Sequence, residues 1–127
     1  MVPLYIAAGG AAGTVLRYAL EGWVHTWAGP RFPWGTFSVN IIGSLLIGFS
    51  IRWLDAIPAS PEMRGLITIG LLGGFTTFST YTYETMAMVR DGERLRAALY
   101  SLGSLGVGLT AVGIGLAFAG FVLGPRG

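Results

Sequence analysis

The chain has 127 residues, of which 53% are hydrophobic and 11% charged, against about 25% charged in an ordinary soluble domain. It has no cysteine, no lysine and a single histidine, His25. Disulfides, thiolate metal sites, multi-histidine centres and a Walker-type phosphate loop are therefore excluded. A net charge of +2 spread along the sequence leaves no basic footprint for nucleic acid. The 21 glycines have no collagen-like period. Within apolar runs they suit membrane helices, where small residues let backbones approach closely. The composition is that of an integral membrane protein.

A bilayer core of about 30 Å calls for about 20 apolar residues per helix. In chain order the expected spans are Pro3–Trp23, uncharged until Arg17, then Trp34–Ile51, Gly65–Tyr83 and Ala97–Pro125. Together they predict one four-helix transmembrane domain over residues 1–127, with short connections near His25–Pro33, Asp55–Arg64 and Arg90–Arg96. Trp23, Trp27, Trp34 and Trp53 fall near span ends, as interfacial aromatics do. Small-xxx-small pairs at Gly9/Gly13, Gly70/Gly74, Ser104/Gly108 and Gly120/Gly124 point to helix contacts. Four spans put both termini on one side, with Arg52, Arg64 and Arg126. Arg31, Arg90, Arg94 and Arg96 lie on the other. A split this even barely biases orientation. It favours an oligomer with subunits inserted both ways, or an orientation set by a partner.

The third span carries Gly73-Gly74-Phe75-Thr76-Thr77-Phe78-Ser79-Thr80-Tyr81-Thr82-Tyr83-Glu84. Paired glycines followed by β-branched and hydroxyl residues make a poor helix. The sequence predicts a mid-span break near Thr76, against the alternative of an intact helix with hydroxyls bonded to their own carbonyls. Broken backbone at membrane depth is tolerated where protein or water covers it, as in ion sites. Asn40 lies well inside the second span. Its carboxamide either holds an anion without a fixed charge or bonds helices together. Tyr100, Ser104 and Gly108 share one face of the fourth helix, as a polar path or as packing. Arg17 and Glu21 stand four apart, so they either pair or snorkel to the interface. Glu84 ends the polar run of the third span.

These motifs resemble one family, the small bacterial fluoride channels (Fluc, also called CrcB proteins). The resemblance rests on Gly9-Gly10-Ala11-Ala12-Gly13 with Leu16-Arg17-Tyr18, on Gly35-Thr36-Phe37-Ser38-Val39-Asn40 with Gly43, and on Gly73 through Thr80 with Glu84. It implies an all-α membrane protein, an antiparallel dual-topology homodimer with two fluoride pores, in the cell inner (plasma) membrane. By motif position Asn40, Phe78 and Tyr81 line the pore, with tyrosine standing where the family usually has phenylalanine. Ser79, Thr80, Tyr100 and Ser104 match the family's polar track, which Glu84 closes. Gly73 and Thr76 match positions whose carbonyls hold a structural sodium ion.

Hydrogen fluoride is a weak acid that crosses lipid and dissociates in a near-neutral cytoplasm, so the trapped anion needs a passive exit. A negative-inside potential drives it out with about 2.3 kcal/mol per 100 mV. The expected partners are thus fluoride, a second copy of the chain and lipid. The competing reading is a small four-helix, dual-orientation multidrug or cation exporter, which needs an isolated membrane carboxylate. Here Glu21 stands in register with Arg17. A non-transporting assembly subunit leaves the mid-span polar run unexplained. An enzyme is not expected, because Asp55 and Asp91 fall in loops and no acid–base or nucleophilic set forms.

Overall fold

The computed structural model describes residues 1–124. Pro125 and Arg126, used above for the fourth span and for the charge count, lie outside the described residues. In chain order α1 spans Val2–Ala28 and α2 spans Trp34–Ala56. A third helical run, α3, covers 61–75. It begins as an α-turn at Pro61–Arg64, continues as a π-helix over Gly65–Leu72 and closes at Gly73–Phe75. Then α4 spans Phe78–Arg90 and α5 spans Arg94–Leu123.

Local chemistry explains the ends. Pro3 sits in the first turn of α1, where its missing N–H costs nothing. The Ser60 hydroxyl caps α3 by accepting from the Met63 amide, with Pro61 as the first helical residue. Between α4 and α5 the chain turns at Gly92, whose φ of 81° is the left-handed conformation that glycine adopts freely. Arg64 donates to Asp55 Oδ1 and to the Leu54 carbonyl, which ties the α2–α3 connection. Arg96 does the same for the first loop by donating to the Arg31 carbonyl.

Two pairings organise the bundle, and glycine makes both possible. Gly9 and Gly13 of α1 are buried against the backbone of α3 at Leu66, Leu71 and Phe75, while Gly70 of α3 meets Ile6 and Gly10 in return. The second pairing sets Gly48 of α2 against Val112 and Leu116, and Gly115 of α5 against Leu45 and Phe49. The expected Gly9/Gly13 and Gly70/Gly74 contacts are thus present. Gly48 and Gly115 make a further contact that the four-residue spacing did not single out.

The interior is small: Val39, Leu54, Leu72, Phe75, Ala97, Tyr100, Ala111 and Ala119. Large apolar side chains such as Leu4, Val15, Leu16, Leu102, Leu105, Leu109 and Phe121 point outward. Helices α2 and α5 are each long and apolar enough to cross a membrane, and only 22% and 17% of their most apolar stretches is buried within the chain. A surface this apolar would aggregate in water; lipid is the solvent that suits it.

Candidate functional site

Between α3 and α4 the helical backbone stops for two residues. Thr76 (φ −87°, ψ 161°) and Thr77 (φ −146°, ψ 121°) are extended, a conformation that β-branched side chains favour. The Thr77 hydroxyl caps the restarting helix by accepting from the Thr80 amide at 3.4 Å, and it donates to the Thr80 hydroxyl at 3.2 Å. The Thr76 amide still reaches the Leu72 carbonyl. At Thr77 the regular pattern is diverted.

Two neighbouring helices take up the polar groups that the interruption releases. From α2, the Asn40 carboxamide pairs with the Thr77 peptide on both sides. Its Nδ2 donates to the Thr77 carbonyl at 3.0 Å, and its Oδ1 accepts from the Thr77 amide at 2.7 Å. The amide that would have bonded the Gly73 carbonyl is therefore spent on Asn40. Gly43, one turn further along α2, is buried against the Thr76 methyl and the Phe75 ring; any side chain there would push α2 away. From α1, Arg17 Nε donates to the Gly74 carbonyl at 3.1 Å, near the C-terminal end of α3. A cation at that end is also favoured by the helix dipole. Arg17 therefore turns inward to a backbone carbonyl, rather than pairing with Glu21 or snorkelling. Glu21 Oε1 is buried without a hydrogen-bond partner among the described residues.

Asn40, Gly73, Thr76, Thr77 and Phe78 line one open groove of about 330 Å³, with Ser44 and Thr68 on its polar flank. Phe78 stands at its edge with 76% of its surface exposed. From Phe78 a line of rings runs away from the groove. Phe78 and Tyr81 lie 5.8 Å apart between centroids and Tyr81 and Tyr100 5.4 Å. Tyr100 then meets Phe32 edge-on at 5.3 Å. The Tyr81 hydroxyl donates to the Ser101 carbonyl at 2.6 Å, and the buried Tyr100 hydroxyl donates to Glu84 Oε1 at 2.9 Å. A second, wider cavity of about 880 Å³ opens beyond these rings, lined among others by Thr36, Thr80, Glu84, Glu21, Arg31 and Arg96.

The residues singled out in the sequence thus fall into three sets. Asn40, Phe78, Gly73 and Thr76 share the groove. Thr80 and Glu84 line the wide cavity. Tyr81, Tyr100 and Ser104 lie outside both linings. Ser104 is buried and its hydroxyl has no partner among the described residues, while Ser79 is exposed on α4. Sequence reasoning missed Thr77 and the inward turn of Arg17. A usable signal existed, since an arginine inside a span must find acceptors and a helix break supplies carbonyls. The separation of 57 positions between Arg17 and Gly74 hid the connection.

Residues 4–116 match the model of a family described as CrcB-like protein, Camphor Resistance (CrcB). A curated protein of Thermus thermophilus, named fluoride-specific ion channel FluC, is 47% identical over 121 residues, covering 95% of this chain and 91% of the relative. Relatives of the same name from Rhizobium meliloti and Geotalea daltonii are 44% and 45% identical. They cover 90% and 94% of this chain and 92% and 97% of their own lengths.

Proposed function

Because this chain belongs to the CrcB-like family, with relatives named fluoride-specific ion channels matching over nearly its whole length, we propose that it is a fluoride-selective ion channel. It lets fluoride leave the cytoplasm passively across the inner membrane, which it crosses several times. The observation in the chain that carries the reading is the groove. There a neutral carboxamide, an exposed aromatic ring and an interrupted helix meet on one surface.

The chemistry suits a small, strongly hydrated anion. Conduction needs sites favourable enough to enter and weak enough to leave. An aromatic ring has a negative face and a positive edge, so the Phe78 edge attracts an anion without trapping it as a fixed cation would. Asn40 spends one N–H and its oxygen on Thr77, and the other Nδ2 hydrogen remains to turn toward the groove. The extended backbone at Thr76 and Thr77 is held on one side by Asn40 and Gly43 of α2 and faces the groove on the other. Further along, Thr80 leads to Glu84 in the wide cavity, next to Ser79 on α4. It is backed by the buried Tyr100 and Ser104 hydroxyls, the first bonded to Glu84 and the second unpartnered among the described residues. No proton, nucleotide or covalent step is required.

The working unit is an antiparallel homodimer. One chain leaves the groove and Phe78 uncovered, and the near-even arginine split allows both orientations. A second copy laid across the groove completes the wall. A sodium ion fits the same surface. Among the described residues no group of three or more His, Asp or Glu side chains could hold a metal, so carbonyl oxygens would have to. The amide diverted at Thr77 frees the Gly73 carbonyl from its helical partner, and Thr76 lies in the extended stretch beside it. Gly73 and Thr76 from two chains would hold the ion. When bound, it supplies fixed positive charge that lowers the cost of anions nearby. Efflux from proteoliposomes, followed with a fluoride electrode, tests the function. Release of fluoride on adding a potassium ionophore supports it, and a leak no faster than empty vesicles overturns it.

A further inference from the structure

Tyr81 and Tyr100 tie the same two helices in opposite directions. Tyr81 of α4 donates to a backbone carbonyl of α5 at Ser101, while Tyr100 of α5 donates to a carboxylate of α4 at Glu84. The two rings also pack against each other in a tilted arrangement, 5.4 Å between centroids. This matters because α4 starts at the break: its N-terminal residue, Phe78, has no helical turn before it. Phe78 itself is 76% exposed, and Tyr81 is the ring it packs against, tilted by 43°. Its backbone is anchored next door, where Asn40 holds the Thr77 peptide, and the ring contact that orients its side chain along α4 is the one to Tyr81.

We propose that the Tyr81 hydroxyl is a helix tie and not an ion contact, and that Tyr81 is a positioning residue that holds the Phe78 ring by riveting α4 to α5 at Ser101. Three observations meet here. At 2.6 Å the bond is short for an O–H···O contact, so the hydroxyl proton is committed to the carbonyl. The ring lies outside both cavity linings, so the phenol oxygen is not presented to the groove. The reciprocal Tyr100–Glu84 bond acts on the same helix pair, so the two ties should couple rather than add. In this chain the tyrosine hydroxyl makes a bond for which phenylalanine at the same position has no group. The inference rests on the ion-path reading only in giving the Phe78 ring its importance.

The test uses full-length protein carrying 4-fluorophenylalanine at position 78 alone, in fluoride-free buffer, with the fluorine resonance as the readout. The expected parent signal is a single narrow line. Tyr81→Phe should broaden it at least about twofold or split it, and 4-aminophenylalanine at position 81, which restores a donor, should return the narrow line. An unchanged line in Tyr81→Phe overturns the proposal, as does 4-aminophenylalanine failing to restore it. A second measurement does not depend on the label. Apparent melting temperatures of Tyr81→Phe, Tyr100→Phe and the double variant should fall by more in the double than the sum of the singles. Strict additivity refutes the shared tie. Neither readout involves conduction, so failure of the fluoride-channel reading would show in parent efflux and not here.

Discussion

Asn40 is the residue whose loss the structure makes most specific. Its carboxamide forms two hydrogen bonds to one peptide unit, at 3.0 and 2.7 Å. Each contributes about 0.5–1.5 kcal/mol net, and leaving a buried donor or acceptor unmade costs about 1–3 kcal/mol more. Asn40→Ala removes both bonds and strands the Thr77 amide and carbonyl at once. These groups are part-buried, so each costs the lower part of that stranding range, about 1–2 kcal/mol, for a loss of about 2–4 kcal/mol. At about 3–5 °C per kcal/mol for a chain of this size, its apparent melting temperature in detergent should drop by roughly 6 °C or more. Asn40→Asp separates the tie from the electrostatics. When protonated, its O–H and C=O can reproduce both bonds. When ionised, it keeps the Thr77 amide but faces the Thr77 carbonyl and any anion in the groove with a negative charge. Both variants should form a folded dimer with fluoride efflux at least about tenfold below the parent. Melting followed by tryptophan fluorescence, beside fluoride-electrode efflux, provides the assay. An unchanged melting temperature in Asn40→Ala would refute the two-bond clip, and parental efflux in Asn40→Asp would refute its place on the ion route.

Phe78→Leu gives the complementary result. The ring is 76% exposed within one chain, so the substitution removes little buried apolar surface and should cost the fold under about 1 kcal/mol, while efflux falls severely. Near-parental efflux with folded protein would return Phe78 to ordinary packing. Gly13→Ala places a Cβ against the backbone of Leu71 and Phe75, and such overpacking typically costs about 1–3 kcal/mol. Gly22→Ala, which meets nothing within 4 Å, should be neutral or stabilising by helix propensity. Equal melting temperatures for the two would contradict the α1–α3 contact. Protein purified and reconstituted without sodium, with an organic cation in its place, should lose conduction or dissociate, as read by efflux and by size on a gel-filtration column. Full conduction without sodium would remove the structural ion.

Much of the fold was legible because membrane helices advertise themselves through length and apolarity. The four expected helical regions are present, although each helix runs beyond its expected span at one end or both, α5 by starting at Arg94 instead of Ala97. Glycine spacing marked Gly9, Gly13 and Gly70 as helix-contact residues, and the structure shows that the contact is between α1 and α3. Local chemistry also drew attention to Thr76, the first of the two extended residues. The π-helical turn over Gly65–Leu72 was not legible, because it has no distinctive residue pattern and depends on how α3 meets α1. Neither was the use of Asn40, since a carboxamide in a span announces that it needs a partner and not which one. Arg17 shows the same limit. Its position near a span end, four residues from Glu21, suggested a local pair or a side chain snorkelling to the interface, but the Gly74 carbonyl at the helix break is the acceptor that α1 brings into reach. Tyr81 differs in kind. As a departure from the family's usual residue its type was visible at once, and only the proximity of Ser101 reveals what its hydroxyl does.

One measurement bears on the whole reading: the reversal potential of purified protein in a planar bilayer with fluoride unequal across the membrane and chloride and protons equal. Fluoride-selective conduction predicts a reversal at the fluoride equilibrium potential that does not move when a chloride or pH gradient is then imposed. A reversal that follows chloride would make the protein a general anion pore, and one that follows the proton gradient would make it a coupled transporter; either contradicts the channel described here.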